Sequence, residues 1–163
     1  TVGVLVQANF GGVLQMAGLP VGQALGQYYL RDVVERGDAD GSIMIVVATD
    51  APLSDRNLTR LARRALAGLA RTGAAFSDGS GDYALAFSTA ASVRRTPERR
   101  SHLATVTELP NALVSPLFEA AIEATEEAIY NALCMAGTMT GCRGVTIEAL
   151  PLDRVAALIT VEG

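Results

Sequence analysis

A chain of 163 residues, half of them hydrophobic, is long enough to bury a sizeable core as one domain. Its net charge of −4 and its 18% of charged residues leave no dense basic stripe for phosphates, so no nucleic-acid partner is expected. Arg supplies all thirteen cationic side chains, which excludes lysine Schiff-base and lysine general-base chemistry, and with no Trp and 5% aromatic residues base-stacking platforms are scarce.

The chain opens on a β-branched, apolar run, VGVLVQAN (2–9), which predicts a buried strand closed by Asn9 and the glycines of NFGG. Thr1 leads into it with no preceding residues, so a further segment upstream is expected. Residues 13–30 carry Gly18, Pro20, Gly22 and Gly26 and predict a loop with short pieces. RDVVERGDADG (31–41) predicts a polar surface loop, and SIMIVVATD (42–50) a second buried strand. After Pro52 a helix is predicted. Ser54 is its N-cap and Asp55 favours its first turn. Leu58, Leu61, Ala62, Ala65, Leu66 and Leu69 form its apolar face, and Gly73 ends it.

SDGSG (77–81) predicts a tight turn, YALAFSTA (83–90) a third strand, and ASVRRTPERRS (91–101) a solvated excursion. A second long helix is predicted near 115–136, started by Ser115 and Pro116 and bearing Phe118, Ala121, Ile122, Ala128, Ile129 and Leu133 at helical spacing. A short strand at 144–151 and a short helix at 152–159 complete the chain. Long apolar strands with Ala-rich helices indicate a layered α/β domain. Strands apolar on both faces need cover on both sides.

Few residues are equipped for chemistry. His102 is the one histidine and lies in an Arg-rich polar segment; Ser42 lacks a G-x-S-x-G elbow. GSGD is too short for a phosphate loop and no Lys follows it, so no nucleotide cofactor is expected. Glu123, Glu126 and Glu127 share a helix without a histidine and read as a solvated face, so no metal is expected either. Cys134 and Cys142 form no metal motif and read as free thiols of a reducing compartment, the cytoplasm. No apolar run reaches the roughly 18 residues of a membrane span and no signal-peptide pattern is present, so no membrane partner is expected.

Serine activation without histidine remains. A serine exposed at a new N-terminus carries its own base, an α-amine with a pKa of about 7.7–8.0. That requires a backbone break just before Ser42. Gly41 is suited to it, because with no Cβ it tolerates the conformation that brings Ser42 Oγ onto the Gly41 carbonyl. Ser80 and Asp82 stand two apart at the entrance to a strand. If extended, they face the same way, and a hydroxyl beside a carboxylate can orient a nucleophile. A turn with ordinary side-chain caps is the alternative. Asn9 closes its strand and is either a turn residue or an oxyanion donor.

Five segments, VGVLVQANFG (2–11), GSIMIVVATDAPL (41–53), LARRALAGLARTG (61–73), GSGDYALAFSTA (79–90) and ALPLDRV (149–155), resemble the DmpA family. That family comprises the L-aminopeptidase/D-Ala-esterase/amidases and the related β-peptidyl aminopeptidases. The resemblance runs over nearly the whole chain, in order. It implies a four-layer α/β/β/α sandwich, like the Ntn hydrolases in layout but different in connectivity. It also implies self-cleavage between Gly41 and Ser42, with Ser42 the nucleophile of the smaller subunit, Asn9 the oxyanion donor and Ser80 the assisting hydroxyl. The next acidic position, often Glu in the family, is Asp82 here.

On this resemblance, 1–163 is part of a single sandwich domain, with 1–41 the end of the larger subunit and 42–163 the smaller one. The implied partners are the upstream segment of the same precursor, a small peptide or amide substrate with a free amino group, and further copies in a homotetramer of processed pairs. An acyltransferase like ornithine acetyltransferase is an alternative, disfavoured because that family uses threonine where Ser42 stands. A non-catalytic assembly module is another, disfavoured by the joint presence of Asn9, Gly41, Ser42 and Ser80.

Overall fold

The computed structural model describes residues 1–29 and 41–162. The loop expected at 31–41 therefore lies, apart from Gly41, outside the described residues.

Three strands form the main sheet: β1 (Val2–Asn9), β2 (Ser42–Thr49) and β3 (Tyr83–Ser88), with β2 in the middle. β1 pairs with β2 antiparallel, and β3 pairs with β2 parallel. A parallel neighbour requires a crossover, which α2 (Asp55–Arg71) supplies. Side chains alternate across the sheet with period two. Ile43, Ile45 and Val47 of β2 are fully buried, with Val4, Val6, Ala84 and Ala86 packed around them. Full burial of such a side chain is worth about 1.5–3 kcal/mol, so β2 is the spine of the core.

Two helices cover that face. α2 buries Leu61, Ala62, Ala65 and Leu69, the apolar stripe expected of it. Ser54 does occupy the N-cap position, but its side chain makes no capping bond; its carbonyl accepts from the Leu58 N–H at 2.8 Å. Gly73, at φ +86°, takes the left-handed conformation that ends the helix. The second long helix spans Ser115–Met135 and buries Phe118, Ala121, Thr125 and Ile129. It is α4; before it lie the one-turn α1 (Val21–Ala24) and the short α3 (Pro97–Ser101), which interrupts the solvated excursion. The cap of α4 is Val114 rather than Ser115, with Pro116 in the first turn. α2 and α4 pass closely at Gly68, where a Cβ would stand 2.4 Å from the Ile122 carbonyl oxygen.

The acidic stretch of α4 is not uniformly solvated. Glu123 and Glu127 are exposed, but Glu126 is half-buried. Its carboxylate accepts from the Tyr130 hydroxyl at 2.8 Å and from Arg71 of α2 at 3.4 Å. Burial, and then the Glu126 carboxylate, push the Tyr130 pKa up to about 12. The strand expected at 144–151 is only β5 (Thr146–Ile147), paired with β4 (Met139–Thr140). Arg143 and Gly144, both at positive φ, make the turn that shortens it. The last helix, α5 (Leu152–Glu162), runs longer than expected.

The layered α/β class follows: one sheet with α2 and α4 on one face. The other face carries Leu5, Met44, Tyr83, Leu85 and Phe87, all exposed. No helix among the described residues is long and apolar enough to cross a membrane.

Candidate active site

Antiparallel register brings the last residue of β1 opposite the first residue of β2, so Asn9 pairs with Ser42. By strand alternation Ser42 shares its face with Met44 and Asn9 shares its face with Leu5 and Gln7, so both side chains project from the open face of the sheet. The buried neighbour Ile43 anchors the strand from the opposite face. Ser42 is thus a short polar side chain at the tip of a rigid mount.

The residue before it is tightly enclosed. A Cβ at Gly41 would stand 2.4 Å from the Asn9 carbonyl oxygen and 3.0 Å from the Phe10 Cα. Glycine is therefore required here for space against β1.

The other side of Ser42 is closed by the segment leading into β3. The Gly81 N–H donates to Ser42 Oγ at 2.9 Å. One residue on, Asp82 Oδ1 accepts from the Ile43 N–H at 3.1 Å. The β2–β3 ladder starts at Met44 and Tyr83, so these two bonds extend the strand pairing up to Ser42. A backbone donor fixes the Ser42 rotamer, and a carboxylate satisfies the amide beside it.

Ser80 and Asp82 both precede the strand, which starts at Tyr83. The Ser80 N–H donates to the Ser77 carbonyl at 2.9 Å, which makes 77–80 a turn. Among the described residues the Ser80 hydroxyl makes no hydrogen bond to Ser42; the contact comes from the backbone of Gly81. Sequence reasoning missed Gly81, because a backbone donor has no side-chain signature. Its only signal is the glycine next to Ser80, which leaves an N–H open to approach.

A cavity of about 320 Å³ opens beside Asn9, walled by Phe10, Leu14, Gln27, Leu133 and Ile147. Ser42 is not part of its wall. Cys134 and Cys142 are both free thiols. Among the described residues no three His, Cys, Asp or Glu side chains converge to hold a metal.

Comparison with known proteins gives a consistent picture. The model of peptidase family S58 matches residues 1–147. The beta-peptidyl aminopeptidase BapA of Sphingosinicella microcystinivorans is 46% identical over 98% of this chain and 43% of its own length. Among solved structures, the PH0078 protein of Pyrococcus horikoshii OT3 matches with a TM-score of 0.85 and 41% identity, over 99% of this chain and 43% of that one. The L-aminopeptidase D-Ala-esterase/amidase of Ochrobactrum anthropi matches with a TM-score of 0.79 and 32% identity, over 99% of this chain and 44% of that one. The latter is described as a prototype of the serine aminopeptidases and a new variant among the Ntn hydrolase fold. The chain thus spans less than half the length of the relatives it matches.

Proposed function

Because the chain belongs to peptidase family S58, we propose that it is part of a self-processing aminopeptidase whose nucleophile is Ser42. The observation that supports this most is the position of Ser42 Oγ, held by the Gly81 N–H at 2.9 Å directly opposite Asn9. The likeness to the DmpA relatives expected from the sequence is borne out over 98% or more of the chain.

Processing is an acyl shift from nitrogen to oxygen. Ser42 Oγ attacks the Gly41 carbonyl, the Gly41–Ser42 C–N bond breaks, and water hydrolyses the resulting ester. Residues 1–41 then end the larger subunit and 42–163 form the smaller one. The freed α-amine of Ser42 has the pKa range of a general base near neutrality, about 7.7–8.0. It takes the hydroxyl proton as Oγ attacks the substrate carbonyl. Asn9 donates to the oxyanion from β1, and Gly81 and Asp82 fix the strand end and hydroxyl in place. The protonated amine returns its proton to the leaving nitrogen, and water releases the acyl residue. Ser80 stays in the proposal as a hydroxyl that assists once the cut end rearranges.

The substrate class is a small peptide, amide or ester with a free N-terminal amino group. The upstream part of the precursor supplies the groups that bind that amine. It also covers the open face of the sheet, completing the four layers, and processed pairs assemble as a homotetramer. Two unpaired thiols support a cytoplasmic location.

The test uses the full-length precursor. N-terminal sequencing of the small fragment is expected to read Ser-Ile-Met-Ile. The enzyme is expected to release p-nitroaniline from aminoacyl anilides and not from their N-acetyl counterparts. Ser42→Ala is expected to abolish both cutting and hydrolysis. A Ser42→Ala variant that hydrolyses at the wild-type rate overturns the proposal.

A further inference from the structure

Ser42 has different surroundings on its two sides. Asn9 flanks it on β1. On the β3 side there is a slot. The point where a Gly81 Cβ would stand is 3.5 Å from Ser42 Oγ and 4.0 Å from Cε2 of the Tyr83 ring, and only those two atoms lie within 4 Å beyond Gly81 and its chain neighbours. Tyr83 is paired in register with Met44, on the open face that also bears Ser42. Tyr83 is 61% exposed and is not part of the core under the helices.

The chemistry at Ser42 assigns a direction to each substituent of the attacked carbon. The oxyanion points toward Asn9 on β1. The leaving amine and the incoming water must exchange with solvent, so they point out past the strand ends, clear of the face that the upstream part covers. The acyl residue is left with the direction over β3, into the slot between Gly81 and the Tyr83 ring. We propose that Tyr83 is the wall of the subsite that receives the side chain of the substrate's N-terminal residue, and that Gly81 keeps the space beside it open. A flat aromatic face next to the exposed thioether of Met44 suits apolar side chains, aliphatic or aromatic. This inference rests on the aminopeptidase reading and deepens it. Tyr83 is a specificity-determining residue and takes no part in the bond-making steps.

The experiment measures kcat/KM of the processed full-length enzyme for leucyl and alanyl p-nitroanilides, and for an alanyl ester with a different leaving group. Tyr83→Ala is expected to lower the leucyl-to-alanyl ratio by roughly tenfold, the scale of discrimination by a lost apolar contact. The anilide-to-ester ratio for the alanyl pair is expected to stay unchanged. Tyr83→Phe keeps the ring and is expected to keep wild-type selectivity. Tyr83→Val, a good strand former, repeats the truncation should the alanine variant fail to fold. An equal loss on the leucyl and alanyl substrates, or a change confined to the leaving-group ratio, overturns the inference. Wild-type enzyme that is neither cut nor active overturns the aminopeptidase reading itself, whereas active wild-type enzyme with unchanged ratios in the variants overturns this inference alone.

Discussion

Substituting Gly41 by alanine adds one methyl group at the tightest point of the candidate site. The new carbon would stand 2.4 Å from the Asn9 carbonyl oxygen, 3.0 Å from the Phe10 Cα and 3.2 Å from the Asn9 carbonyl carbon. All three are backbone atoms at the end of β1, where the ladder pairs Asn9 with Ser42. None can rotate aside as a flexible side chain would. Ordinary contact needs about 3.4 Å, so the chain at Gly41 must retreat by about 1 Å. Forced repacking of this kind costs about 1–3 kcal/mol. A displacement of about 1 Å at reacting atoms costs about a hundredfold in rate. Gly41→Ala precursor is therefore expected to cut at least about a hundredfold more slowly than wild type and to unfold at lower urea concentration. Cutting is followed by intact mass against time, and stability by urea titration of the uncut precursor. Gly3→Ala is the control, since a Cβ there meets nothing within 4 Å. Wild-type cutting and stability in Gly41→Ala would refute the reasoning, because the contact with β1 would then be absent from the state that reacts.

Three further outcomes are expected. Asn9→Ala, in enzyme shown by mass to be processed, should lose roughly a hundred- to a thousandfold in kcat, the effect of removing one oxyanion donor; an unchanged kcat removes Asn9 from the site. Asp82→Ala leaves the Ile43 N–H without the acceptor it has at 3.1 Å, and should lower stability by about 1–3 kcal/mol in urea titration, while Asp82→Asn, which keeps an oxygen there, should recover most of it. For Tyr130, the folded pKa of about 12 lies above the ordinary 10.0. The unfolded chain therefore loses this proton first, and the contribution of Tyr130 is complete below pH 10 and disappears between pH 10 and 12. Tyr130→Phe should flatten the stability–pH curve in that window, and an identical slope in both proteins would show that another group titrates there.

Much of this protein was legible in the sequence. The β-branched, apolar runs of β1 and β2 and the helically spaced apolar stripes of α2 and α4 are local patterns, and they predicted elements that the structure contains within a few residues. The family resemblance singled out Asn9, Gly41, Ser42, Ser80 and Asp82. Local pattern failed where ends depend on surroundings. Ser54 and Ser115 have the right chemistry for caps, yet neither caps with its side chain. The segment 144–151 has strand-like residues, but the turn at Arg143 and Gly144 leaves only Thr146 and Ile147 paired.

By itself, then, the sequence determined which residues prefer strand or helix, which faces are apolar, and which side chains have reactive chemistry. Only the tertiary structure decided how they meet. The β1–β2 register sets Asn9 against Ser42 across a separation that no periodicity spans. The same register makes Gly41 a requirement of space, and the β2–β3 pairing places the backbone N–H of Gly81, rather than the Ser80 hydroxyl, on Ser42. The physical reason is that propensity and amphipathicity are carried by neighbours along one segment, whereas register, close approach and a backbone hydrogen bond between segments exist only once distant parts of the chain have packed.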